Sequence, residues 1–150
     1  MAVFKISGLA ALQKQIAEIA ELDGGKIANE MLKAGSKEVA DTWTKVSRIK
    51  HYRTGEMVKG IKSSRVRKNK RGRFTVTYPY GEETRIRRGK VVKIRNAEKA
   101  FYQHFGYYNV LVGRYIPGDR FVDEIDRIAE PKANKTMQDI WDNYLKQKGK

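Results

Sequence analysis

Charge is the feature that most limits how this chain can fold, because it is not spread evenly. Residues 45–99 carry 19 Lys and Arg against four Asp and Glu, while residues 1–44 carry five against six and residues 100–150 carry eight against seven. The entire net charge of +15 therefore sits in the middle of the sequence. A buried charge needs a partner, and this stretch has few to offer, so the two near-neutral ends must build the body and the centre must face outward. A chain of 150 residues is the size of one domain and can bury roughly 70% of its unfolded surface. With 40% hydrophobic residues and 15 aromatics it is too apolar for a disordered polyelectrolyte. A single folded domain over 1–150 is expected, with acidic partners for its centre.

Several function classes are disfavoured by what the sequence lacks. Without Cys there is no disulfide framework, thiolate nucleophile or thiolate metal site. The start has no secretory pattern and no apolar run reaches the ~20 residues of a membrane span, so a cytoplasmic origin is expected, with possible export inside a larger particle. No phosphate-binding Gly-rich loop, no paired His with Glu at helical spacing and no Gly-flanked nucleophilic Ser is present. His51 and His104 stand alone and read as surface or packing residues. Asp119, Asp123, Glu124 and Asp126 read as the solvated first turns of a helix rather than as a cation site. The expectation is a protein that is not an enzyme, with no cofactor, metal or small-molecule substrate.

The periodicities predict an α+β fold. A short strand over 3–6 precedes a helix capped by Ser7, with Leu9, Leu12, Ile16 and Ile19 on one face and Asp23-Gly24-Gly25 as its stop. A longer helix follows over 26–48, its buried stripe formed by Ala28, Leu32, Gly35, Val39, Thr42, Trp43 and Val46. Thr54 is expected to cap a two-turn helix reaching about residue 61. Alternation over 62–67 and 73–78 around an exposed turn at 68–72 signals a β-hairpin. A second hairpin is predicted over 84–87 and 90–95, turning at Arg88-Gly89. Residues 97–105 fit helix or strand and end at Gly106; residues 107–118 read as a loop. Asp119 then caps a last helix whose stripe is Phe121, Val122, Ile125, Ile128 and Ala129, with Pro131 kinking or restarting it. The predicted architecture is an antiparallel sheet of about four strands, packed against long N-terminal and C-terminal helices, with a basic hairpin arm at about 81–96 inserted and protruding.

Ten basic residues lie on or beside the two hairpins: Lys68, Lys70, Arg71 and Arg73 on the first, and Arg85, Arg87, Arg88, Lys90, Lys93 and Arg95 on the second. With Phe74, Tyr78, Tyr80 and Phe101 nearby, they could hold phosphates and stack bases. No zinc finger, recognition helix or ribonucleoprotein aromatic pair accompanies them. An acidic protein surface explains the same charges, and both partners stay open.

The order of several short motifs resembles that of the tail-completion or neck proteins of tailed bacteriophages, distant relatives of the lambda minor tail protein Z. The matching elements are Gly8-Leu9-Ala10-Ala11-Leu12, then Thr54-Gly55-Glu56-Met57-Val58-Lys59-Gly60-Ile61, a basic hairpin, Phe101-Tyr102-Gln103-His104-Phe105-Gly106, and Pro117-Gly118-Asp119-Arg120-Phe121. Together they span nearly the whole chain. Two departures stand out: Asp119 and Arg120 replace the family's usual Arg-Pro before Phe121, and the second basic hairpin is an insertion. The resemblance implies a structural virion protein of the head-tail connection, working as a homo-oligomeric ring or its decoration. It would assemble with head-closure, tail-terminator or tail-tube proteins, with a possible contact to packaged DNA. It also marks Thr54, Gly55, Gly106, Pro117 and Phe121 as fold positions, with Thr54 as a cap, Gly55 allowing close backbone approach and Phe121 anchoring the last helix against the sheet. The alternative is a free nucleic-acid-binding protein.

Overall fold

The computed structural model describes residues 25–52 and 55–148. The predicted strand over 3–6, the helix after Ser7, Arg53 and the cap Thr54 lie outside them. The fold is α+β. Among the described residues the helices are α1 (Lys26–Lys50), α2 (Glu56–Lys59), α3 (Asn96–Phe105) and α4 (Phe121–Gln147). The strands are β1 (Ile61–Ser63), β2 (Arg67–Asn69), β3 (Gly72–Phe74), β4 (Thr77–Pro79), β5 (Glu82–Arg87), β6 (Lys90–Arg95), β7 (Gly106–Asn109) and β8 (Arg114–Pro117). They do not join into one four-stranded sheet. Among the described residues each pairs with a single neighbour, β1 with β4, β2 with β3, β5 with β6 and β7 with β8. For β2–β3 and β5–β6, outer edges rich in Lys and Arg disfavour a further strand.

The long helices follow their sequence stripes. On α1, Ala28, Gly35, Val39, Thr42, Trp43 and Val46 are buried as the periodicity predicts, while Met31 takes the deeper position and Leu32 is half-buried. On α4 the buried residues recur every fourth position, at Phe121, Ile125, Ala129, Ala133 and Trp141. Pro131 does not restart the helix, which runs unbroken through it. It sits on the exposed side, where water can satisfy the carbonyl that its missing N–H leaves free.

The described residues form two compact units, one built from 25–39, 63–76 and 126–148, the other from 40–62 and 77–125 apart from 53–54. In the first unit Ile27, Met31 and Trp141 make a core, with Met137, Ile140, Tyr144 and Leu145 packed on it. Val39, Ala129 and Ala133 make a second cluster. Gly35 leaves room for Met137, whose Sδ would lie 3.0 Å from an added Cβ. The β2–β3 hairpin belongs to this unit, with Lys68 opposite Arg73 and Arg67 opposite Phe74. Ser63 Oγ donates to the Ser36 carbonyl at 3.0 Å, fixing one strand to α1.

In the second unit Phe121 is wholly buried, its ring 4.5 Å from that of His51 and 6.2 Å from that of His104. It anchors α4 between two imidazoles, not against a sheet as expected. The His104 Nδ1 accepts the Val122 N–H at 3.3 Å, and the Asp119 Oδ1 accepts the Phe121 N–H at 3.1 Å. Asp119 thus caps α4 as its position predicted, and His104 adds a second acceptor from α3. Residues 96–105 form a helix. The expected loop after them is a hairpin instead, since Tyr107-Tyr108 and Tyr115-Ile116 pair across a turn at 110–113. The short helix α2 ends at Lys59, one turn long, with Gly55 at its N-cap in the left-handed region (φ 74°) and no side-chain cap bond.

Candidate docking surfaces on the basic hairpins

The second hairpin starts from an anchored base. The Asn96 side-chain amide donates to the Tyr80 carbonyl at 2.7 Å and to the Glu56 carbonyl at 3.3 Å, and its backbone N–H donates to the Gly81 carbonyl at 2.9 Å. One buried amide thereby joins the ends of the hairpin to α2 and to the residue that follows β4. Glu83 tightens the base further. Arg85 donates to it twice, from Nε to Oε1 at 2.7 Å and from Nη2 to Oε2 at 3.0 Å, and Lys99 of α3 also donates to Oε2. These bonds, Arg85 foremost, hold the Glu83 carboxyl down to about 2.

Strand alternation sorts the rest of this hairpin. Glu83, Arg85, Val92 and Ile94 are half-buried on one face, and Glu82, Thr84, Lys93 and Arg95 are exposed on the other. Lys93 lies 2.8 Å from Glu82, which raises its pKa through their hydrogen bond. From Ile86 to Val91 every residue is exposed, including the cross-strand pair Ile86 and Val91. The turn is formed by Arg88 and Gly89, both with positive φ (50° and 75°), the conformation that suits the twist of a two-residue hairpin. Arg87, Arg88 and Lys90 thus crowd an exposed tip and have no carboxylate partner among the described residues.

The first hairpin has a different chemistry. Residues 57–81 contain eight Lys and Arg and no Asp or Glu. The Asn69 Oδ1 accepts the Arg71 N–H at 2.8 Å and shapes a turn that leaves Lys70 and Arg71 exposed. Arg73 faces its own unit: Nη1 donates to Asn29 Oδ1 at 3.1 Å, and the guanidinium lies over Gly25, where a Cβ would come within 2.1 Å. Lys68 is exposed on β2, opposite Arg73.

The ten basic residues therefore divide. Lys70, Arg71, Arg87, Arg88 and Lys90 occupy exposed tips, Lys68 is exposed on β2 and Arg95 at the end of β6, and Arg73, Arg85 and Lys93 bind groups of the chain itself. The sequence reading missed Glu82 and Glu83 because it began the strand at Thr84, although an acidic pair beside a basic strand was the available signal. Of the aromatic candidates, Tyr78 and Tyr80 stack on one another with ring centroids 3.8 Å apart, Phe74 is half-buried, and Phe101 is exposed on α3.

Other chemistry is sparse. His51 Nε2 lies 3.0 Å from Asp119 Oδ2, and Glu124 pairs with Lys50. Burial lowers the pKa of His104, against the opposing pull of Asp123. Among the described residues no group of three His, Asp or Glu is placed to hold a metal ion. An open cleft of about 420 Å³ is lined by Arg48, Tyr52, Gly55, Val58 and Lys59, and none of the ten hairpin residues reaches it. No described helix is long and apolar enough to cross a membrane. Of the positions marked by the phage resemblance, Gly55 and Gly106 adopt positive φ (74° and 89°), Pro117 ends β8 and Phe121 is buried. No protein-family model, no curated protein and no solved structure matches the chain.

Proposed function

We propose that this protein is a structural assembly subunit that docks through its basic hairpin tips onto an acidic surface. The observation that carries the reading is the partition of charge along the hairpins. On the second hairpin Arg85 is neutralised by Glu83 and Lys93 by Glu82, whereas Arg87, Arg88 and Lys90 at the tip are left to solvent. Crowded like charges cost stability, and an acidic partner offsets that cost while speeding and orienting encounter. The motif order supplies the setting: a ring-forming protein of the phage head-tail connection, made in the bacterial host cytoplasm and carried in the virion. There it would meet head-closure, tail-terminator or tail-tube subunits.

The triple substitution Arg87→Glu, Arg88→Glu and Lys90→Glu tests this, because it alters only the exposed tip and spares the Glu83 network. The variant should keep the wild-type circular dichroism spectrum and fail to join tails to filled heads in a complementation assay. Normal yields of infectious particles would defeat the reading. A second reading, direct DNA binding, is favoured by the acid-free first hairpin. For that hairpin Lys70→Ala with Arg71→Ala should flatten the salt dependence of binding by about two counterions, near 0.9 for each phosphate no longer neutralised. Absence of DNA binding even at low salt would end it.

A further inference from the structure

In a protein this basic, one exposed region carries no charge. Residues 100–113 contain no Lys, Arg, Asp or Glu, with Lys99 and Arg114 at their borders. They form the end of α3, strand β7 and the turn of the β7–β8 hairpin. The turn residues Val110 and Leu111 are 82% and 85% exposed. Behind them aromatic rings touch in series, Phe101 with Phe105 at 4.7 Å and with Tyr102 at 6.1 Å, and Tyr102 with Tyr107 at 6.0 Å.

We propose that this apolar tongue is where a second copy of the chain docks. Nine large apolar or aromatic side chains between Phe101 and Tyr115 are 43–85% exposed. At about 200 Å² per side chain they leave on the order of 1,000 Å² in water, above the few hundred Å² of a typical monomer's largest patch. That area is also close to the roughly 800 Å² that each partner contributes to a stable interface. Charge selects the occupant. Two copies each carrying +15 repel wherever their basic hairpins meet, whereas residues 100–113 bring no like charge of their own, the neighbouring cations being Lys99, paired with Glu83, Arg114 on β8 and Arg120 over the Phe105 ring. An anionic lipid surface would instead favour free cations interspersed among the apolar residues; residues 100–113 supply none, and the neighbouring Arg120 is engaged over the Phe105 ring, 5.2 Å from its centroid.

The tongue is also held in shape before any partner arrives. Asp119 N–H donates to the Gln103 carbonyl at 3.0 Å and Arg120 N–H to the His104 carbonyl at 3.2 Å, so the strand returning from the hairpin closes the end of α3. The Tyr115 hydroxyl donates to the Phe105 carbonyl. A Cβ at Gly106 would lie 2.4 Å from the Ile116 carbonyl oxygen, and one at Gly118 would lie 2.2 Å from that of His104, so both glycines permit the backbones to touch. A surface already ordered loses little conformational entropy on association.

The inference rests on the ring reading only for its biological setting, and its salt dependence separates it from hairpin docking. Sedimentation equilibrium of the full chain at about 50 mM and about 500 mM NaCl should show association that tightens at least ~10-fold in the higher salt, as repulsion is screened. Leu111→Asp should weaken it at least ~10-fold, and Val110→Ser with Leu111→Ser should do so without adding charge. Both variants should keep the wild-type melting temperature at concentrations where the wild type is monomeric, and the Arg87, Arg88, Lys90 to Glu protein should still associate. A wild type that stays monomeric at about 100 μM in 500 mM salt overturns the proposal. So does association that weakens with salt or ignores Leu111, and so does a monomer that pellets with phosphatidylserine vesicles through Leu111. Failure of particle joining in the hairpin variant would leave all these outcomes untouched.

Discussion

Replacing Phe121 by Ala should weaken the second unit at neutral pH and also change how its stability responds to acid. The Phe121 side chain is fully closed to water, so the whole apolar contribution of its ring is at stake. The cavity cannot collapse easily, because the flanking imidazoles are held in place, His104 by the Val122 N–H and His51 near Asp119. The expected loss is therefore about 4 kcal/mol, within the 3–5 kcal/mol usual for buried Phe to Ala and large against a total of 5–15 kcal/mol. His104 supplies the acid response. Burial lowers its folded pKa, so at low pH the unfolded chain binds the proton first. The stabilisation from its neutral form is complete above about pH 6.5 and is lost as the pH falls from there toward the folded value. Urea unfolding followed by circular dichroism at about pH 8 and about pH 5.5 should show a smaller acid loss in His104→Asn than in wild type. Phe121→Ala should lie between them, because opening the site to water relieves the desolvation of His104. A cost under about 1.5 kcal/mol at pH 8, or an acid loss identical in all three proteins, would refute the account of this site.

Further outcomes follow from single contacts. Asn96→Ala leaves the Tyr80 carbonyl without its side-chain donor and should cost about 1–3 kcal/mol, with faster amide exchange along β5 and β6 than elsewhere. Gly106→Ala forces a Cβ onto the Ile116 carbonyl oxygen at a positive φ and should destabilise by more than about 2 kcal/mol, measured as a fall in melting temperature. Glu83→Gln removes a carboxylate whose stabilising effect is full above about pH 4.5 and fades as the pH falls toward 2, so the variant's melting temperature should depend less on pH across that window.

Helix α1 and the apolar stripe of α4 were readable because a 3.6-residue period accumulates evidence over many turns. The Arg88-Gly89 turn was readable because few dipeptides suit two consecutive positive φ angles. The β7–β8 hairpin was not, since Tyr107-Tyr108 and Arg114-Tyr115-Ile116 pair without alternating apolar and polar positions, both faces being exposed in large part. Nor could local sequence place Pro131, whose tolerance inside α4 depends on which side of the helix meets solvent. At the docking surface the basic residues were plain from composition. Which of them were already satisfied was not, because Arg73 depends on Asn29, 44 positions away, and Glu83 on Lys99, 16 positions away.

The hairpin turn at Arg88 sets two pressures against each other. An arginine held at φ 50° bears a left-handed strain of roughly 1 kcal/mol that Asn or Gly would largely escape. A laboratory search for heat tolerance would accordingly find an easy gain at this position, and each such winner would surrender one of the exposed cations of the hairpin tip. Thermal hardening and partner capture are opposed at one residue, so a library sorted by either property alone should drift away from the other.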